Sequence, residues 1–224
     1  MSQGKAAIAW IVAVLLTAGL LVYQRRTGPT YPISLKETVG TGTVSGSLIR
    51  THETTGPAEI SVTASEGIGG ELVWRRFPTE DPWTRTPMER DGEKLKANLP
   101  LLPAAGKAEY VVEVTQGAVK GDFPKDGTAI LRYKGAVPTW LLITHVIFMF
   151  LAPIMAFRTA IGILMKEENW AKRLWWLLGF MTVGGFILGP MMQQYAFGAL
   201  WTGWPVGEDL TDSKTLAAYV GWIA

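Results

Sequence analysis

The sequence predicts a mixed membrane protein, with three full transmembrane α-helices, one partial helix at the C-terminal end, and an all-β sandwich between the first helix and the rest. Three observations carry this prediction. Charged residues make up 18% of the 224 residues and hydrophobic ones 48%, against roughly 25% charged for an average soluble domain. Long uncharged apolar runs occur at three places, and the segment between the first and second reads as short alternating strands.

Residues 6–23, "AAIAWIVAVLLTAGLLVY", follow Lys5 and carry no charge, which is the length needed to cross a hydrocarbon core of about 30 Å at about 1.5 Å per residue. The run continues straight into "YQRR" without a small-residue cleavage site. It therefore reads as an uncleaved anchor rather than a signal peptide, and residues 1–27 form the first domain. Residues 28–135 follow as the β-domain. Its segments "GTVSGSLI", "AEISVTA", "ELVWRR", "TPMER", "EKLKANL", "AEYVVEV" and "TAILRY" are short and separated by Gly, Pro and Asp, predicting seven strands.

Residues 136–157 and 174–192 are the second and third spanning runs, the former bounded by Arg158 and containing one ionisable group, His145. Pro153 and Pro190 are expected to kink or end these helices. The closing run "LAAYVGWIA" has nine residues, less than half a span. Together residues 136–224 form a C-terminal helical bundle with a Trp-rich outer loop at 193–214. The short loop 158–173 holds Arg158, Lys166, Lys172 and Arg173. Short basic loops stay in the cytoplasm, so a bacterial inner membrane is expected, with the N-terminus cytoplasmic and the β-domain periplasmic. Arg25 and Arg26 run against that scheme.

The stretch "LVWRRFPTEDPWTRTPMERDGEKLKANLPLLPAAGKAEYVVEV", residues 72–114, resembles bacterial immunoglobulin-like or fibronectin-type-III-like modules. The order is a strand, a Pro-Trp turn, a Met-bearing strand, a "LP" edge and a Tyr-bearing strand. The resemblance implies an immunoglobulin-like sandwich and a binding or spacer role. The block "QQYAFGALWTGWPVGEDLTDSKT" is similar to a segment of uncharacterised bacterial membrane proteins that combine a periplasmic β-domain with a small C-terminal helical bundle. That likeness implies an architecture and no catalytic residue.

Several chemistries are excluded or weighed by residue type. With no cysteine there is no disulfide, thiolate metal site or thiol nucleophile. Basic residues dispersed among similar numbers of acids leave no footprint for nucleic acid. Neither a zinc-protease motif nor a Ser-His-Asp set can be assembled around two histidines, His52 and His145. "VGTGTVSG" is followed by no helix, so the basis of a phosphate loop is missing.

Asp209 and Asp212 stand just ahead of the last apolar run, where carboxylates cap a helix start. A hard cation held by Glu208, Asp209 and Asp212 is the rival reading, but the spacing of a calcium loop is absent. Trp201 and Trp204, among Gly203, Pro205 and Gly207, suit a compact turn at the membrane surface. His145 is the sharper candidate, because an ionisable group inside a membrane segment is costly. It reads as a packing histidine, with haem b ligation, proton relay or quinone binding as functional alternatives and Met149, Met181 or Met191 as partner ligands. Gly185 and Gly189 have GxxxG spacing, which permits close packing within this bundle or with another subunit. Arg75, Arg76, Arg85 and Arg90 with Trp74, Phe77 and Trp83 offer an aromatic and basic surface for a protein partner, or else a solvated sheet face.

These observations favour a non-enzymatic accessory or structural subunit of a larger bacterial membrane complex, a respiratory or photosynthetic electron-transfer assembly being the most plausible host. Its partners are then other integral membrane subunits, an extrinsic periplasmic protein and lipid, with no cofactor. The alternatives are an electron-transfer protein binding haem or quinone through His145, and a membrane-anchored periplasmic sensor or ligand-binding module.

Overall fold

The computed structural model describes residues 3–224, so the first two residues of the anchor lie outside the described residues. The chain divides into two compact units, Gly28–Ala136, and the residues up to Thr27 together with Val137–Ala224.

The first unit is built from two sheets. One has β1 (Ile33–Val39), β2 (Gly42–Leu48), β4 (Ala58–Ala64), β8 (Lys94–Leu99) and β7 (Glu89–Asp91), in the order β1-β2-β4-β8-β7. The other has β3 (Thr51–Glu53), β11 (Ala129–Lys134), β9 (Lys107–Gln116), β5 (Gly69–Phe77) and β6 (Thr84–Pro87) in the order β3-β11-β9-β5-β6, with β10 (Val119–Phe123) also paired to β9. Alternation puts every second residue inward: Ala58, Ile60, Val62 and Ala64 of β4 are buried, as are Leu95, Ala97 and Leu99 of β8. They share one core with Leu72, Tyr110, Val112, Val114, Leu131 and Tyr133 of the opposite sheet, so each sheet covers the other's apolar face. The two core tyrosines still use their hydroxyls. Tyr110 Oη donates to Ile49 O and Tyr133 Oη to Pro100 O, both at 2.8 Å. Burial pushes the Tyr110 hydroxyl well above the ordinary tyrosine range.

Eleven strands replace the seven that alternation suggested. β3 and β7 have three residues each, too short to show a period of two. β1 alternates only between half-buried and exposed positions until Val39. The segment "TPMER" is two strands rather than one: Thr84–Pro87 pairs with β5, while Glu89–Asp91 pairs with β8 in the other sheet. Met88 is the crossing point. Its side chain is buried in the core and its amide donates to Gly70 O at 2.9 Å.

The second unit is helical, and three of its helices are long and apolar enough to cross a membrane: Gln3–Thr27, Thr139–Leu164 and Trp170–Phe197. They are α1 (Gln3–Thr27), α2 (Thr139–Leu164), and a continuous rod made of α3 (Trp170–Met181), a π segment (Thr182–Leu188) and α4 (Gly189–Phe197). α5 (Leu210–Ile223) completes it. On α1 the buried positions are Ala9, Ala13 and Thr17, a small-residue stripe four apart that permits close approach to a neighbour. Thr17 hides its hydroxyl by donating to Ala13 O at 2.8 Å.

The boundaries differ from the sequence reading, and the outer loop expected at 193–214 is the shorter 198–209 because α4 runs to Phe197 and α5 starts at Leu210. α2 does not stop at Phe157 but runs through Arg158 to Leu164, and the third span begins at Trp170 and reaches Phe197. The loop expected at 158–173 therefore shrinks to 165–169, because the Arg158 charge is neutralised inside the bundle and does not force the helix out. Pro153 lies within α2 without ending it. Pro190 stands in the first turn of α4, directly after the π segment. A proline there lacks the N–H that an α-helical ladder would use, and wide-turn hydrogen bonding just before it absorbs the mismatch.

Candidate functional site

Three clusters in the helical unit hold the polar side chains that sequence reading singled out, or that it missed. The first is the start of α5. Asp209 is its N-cap, accepting from the amides of Thr211 at 2.8 Å and Asp212 at 3.3 Å. Asp212 has a different task. It is 8% exposed, and its carboxylate turns to the preceding loop. Gln193 Nε2 donates to Oδ1 at 2.5 Å, while the Thr202 amide and hydroxyl approach Oδ2 at 3.0 and 3.4 Å. Asp212 thus ties the end of the third rod to the loop and the loop to α5. Gly203 is required beneath it, since a Cβ there would overlap Asp212 Cβ.

Around this latch, the Trp204 amide donates to Ser213 Oγ at 3.0 Å, and Trp201 stacks on Phe186 with ring centroids 5.9 Å apart. Trp204 itself is exposed. Glu208 is exposed and stands outside the latch. No group of three or more His, Cys, Asp or Glu residues able to hold a metal occurs among the described residues.

The second cluster surrounds His145 on α2. Its Nδ1 lies 3.0 Å from Gly184 O, and since a carbonyl only accepts, Nδ1 carries the proton. Gly184 O also accepts the Gly189 amide five residues on. The wide turn therefore presents a carbonyl that two donors share. Nε2 is left as the lone-pair nitrogen of this tautomer.

The glycines around His145 serve different neighbours. Gly184 faces α2, where a Cβ would press on Phe148 and Met149; Gly185 faces α5, where it would meet Thr215; Gly189 approaches His145. Gly185 and Gly189 therefore pack within this bundle and do not form a single GxxxG face, because the π segment alters which residues share a side. Tyr219 of α5 closes the group with its hydroxyl 2.9 Å from Thr182 Oγ1 and its ring 5.0 Å from Phe186.

The third cluster, at the end of the bundle bearing loop 165–169, was not anticipated as a site. Arg158 on α2 is 2% exposed and donates from Nη2 to both oxygens of Glu167, at 3.0 and 3.1 Å. Arg173 Nη2 donates to the same carboxylate. Loss of water around Glu167 pushes its carboxyl up, but the hydrogen bonds and charges of Arg158 and Arg173 outweigh this and hold it below the usual carboxylate range. The Trp10 ring of α1 lies 5.5 Å from the Arg158 guanidinium, so α1 covers the charge it packs against. Gly162 leaves room for Arg173 and Arg158.

In the β-unit the anticipated basic surface is largely self-neutralised. Arg75 Nε donates to Glu109 at 2.5 Å while its guanidinium stacks 4.5 Å from the Trp83 ring. Arg76 pairs with Asp81 at 2.6 Å, a hydrogen bond that holds the Asp81 carboxyl below its ordinary range. Arg85 bridges Glu71 and Glu113, and Arg90 donates to the carbonyls of Ala64, Ser65, Ile68 and Gly92. Trp83 keeps one exposed face, whereas Trp74 packs against the core.

Compared with models of protein families and with curated proteins, the chain matches none.

Proposed function

We propose that this protein is a non-catalytic accessory subunit of a bacterial membrane assembly, its helices packing against partner helices and its immunoglobulin-like sandwich contacting an extrinsic partner. The observation that carries this reading is the openness of the helical unit. No more than 22% of any spanning window is buried within the chain, while the carboxylates of its clusters, Glu167 and Asp212, are held by internal bonds. Gly19 and Gly179 add positions on the outer surface with nothing near a Cβ, where another backbone can approach closely. Respiratory or photosynthetic electron-transfer complexes are the proposed hosts, in an inner membrane with the β-domain on the periplasmic side. Mild-detergent purification of the tagged chain, with mass spectrometry of stoichiometric companions, is expected to yield a defined set of membrane subunits. Migration of the chain alone would remove the reading.

His145 supports a second one. A histidine that donates from Nδ1 to a backbone carbonyl and offers Nε2 has the tautomer and orientation of metal-ligating imidazoles, so ligation of haem b would use Nε2. The purified protein is then expected to show a haem absorption spectrum that His145→Ala abolishes, and a colourless complete preparation eliminates this alternative.

A further inference from the structure

Arg173, bonded to Glu167 beside Arg158, lines a cleft of about 550 Å³, within the range of small-molecule sites. Its lining is divided by chemistry. Trp10 of α1, Met155 of α2, and Trp176 and Phe180 of α3 make an apolar wall, and Lys172 and Arg173 with Asn169 make the polar end. The polar end lies beside the loop where α2 stops and α3 begins, which is headgroup depth for helices that cross a bilayer.

Charge at this end is unbalanced. Residues 158–173 carry four cations, Arg158, Lys166, Lys172 and Arg173, against two carboxylates, Glu167 and Glu168, and Glu167 is already shared by both arginines. Buried donors also remain. Nε and Nη1 of Arg158 and Nε of Arg173 have no hydrogen-bond partner among the described residues, a costly state for charged donors. An anion at the polar end is attracted by the excess positive charge of Lys172 and Arg173, and an acyl chain fits along the aromatic wall.

We propose that this cleft binds one anionic phospholipid, its phosphate held by Lys172 and Arg173 and its proximal acyl chain lying against Trp10, Met155, Trp176 and Phe180. Basic pockets between membrane helices recognise acidic lipid headgroups in this manner. The inference rests on the reading of the three helices as membrane-spanning and is independent of what the protein assembles with. Retention of the chain in carbonate-washed membranes tests the former separately.

The test is native mass spectrometry of the full chain in mild detergent, titrated with dioleoyl-phosphatidylglycerol or with dioleoyl-phosphatidylcholine. One phosphatidylglycerol is expected to stay bound in preference to phosphatidylcholine. Lys172→Glu should reduce that preference by at least about fivefold, the effect of roughly one basic group near an anionic headgroup, and Lys172→Arg should keep it. Lys172 is exposed and, among the described residues, pairs with no carboxylate within ion-pair distance, so its replacement leaves the fold intact. Trp176→Ala should weaken retention of both lipids, through the acyl wall. Equal retention of the two lipids by the unaltered chain, indifference to Lys172→Glu, or displacement of the lipid by inorganic phosphate alone would each overturn the proposal.

Discussion

Glu167→Gln is expected to be the most damaging single substitution in the helical unit. It strands Arg158, 2% exposed, and Arg173, 15% exposed at the side chain, beside each other with no counter-charge. Removing one member of a buried ion pair costs about 3–5 kcal/mol, because the desolvated partner remains. The lower end applies here, since the cluster lies near the ends of its helices; Arg158 is about 9 Å along the axis from the end of α2 at Leu164. Thermal unfolding in detergent should begin well below that of the unaltered chain. Adding Arg158→Met to Glu167→Gln should restore part of the loss, since the double variant strands a single arginine. If Glu167→Gln melts like the parent, the cluster does not hold the bundle together.

Acid should imitate this substitution. The folded carboxyl titrates below its unfolded value, so its stabilising effect is complete above the ordinary glutamate range, about pH 4.3. It is lost as the pH falls through that range to the lower folded value. Glu167→Gln should therefore flatten the acid limb of the stability profile.

Asp212→Ala is expected to open the other end of the bundle. Two donors, Gln193 Nε2 and the Thr202 amide, lose a charged acceptor in a site where Asp212 is 8% exposed. At about 1.5–3 kcal/mol for a hydrogen bond to a charged group, with the loop free to find water, a loss of about 3 kcal/mol follows. The readout is hydrogen exchange. The amides of Thr202 and Trp204 should lose about a hundredfold protection, while the Leu177 region of α3 keeps its own. Asp212→Asn, which retains an acceptor oxygen, should fall between. Asp209→Ala should cost only the cap, about 1 kcal/mol, and this contrast separates the two carboxylates that look alike in the sequence.

That pair also indicates how much the sequence could convey. Asp209 was legible as a cap because capping is local: the donors are two and three residues away. Asp212 does stand in the first turn, but the partners of its side chain, Gln193 and Thr202, are set by how a loop folds back, and no periodicity encodes that. The three long apolar helices were legible from uncharged length, but their ends were not. A basic residue marks the end of an apolar run at Arg158 in the sequence, whereas Glu167 and Trp10 from two other segments make that charge tolerable within α2. In the β-unit, strands with full alternation such as β4 and β8 could be read, and those of three residues could not. The His145 site was half visible. A histidine inside a long apolar run is conspicuous, but its acceptor arises from hydrogen bonding of a kind that "TVGGFIL" does not advertise.

The π segment also sets rotational phase along the third rod. An α-helix turns about 100° per residue, so each extra residue that a wide turn inserts swings everything beyond it by about that angle relative to an uninterrupted α-helix. Leu177 and Met181, before the segment, face the core shared with α2, and Gln193, beyond it, faces the carboxylate of Asp212. One rod thus joins the core shared with α2, which Tyr219 and Trp222 of α5 also pack against, to the carboxylate at the start of α5.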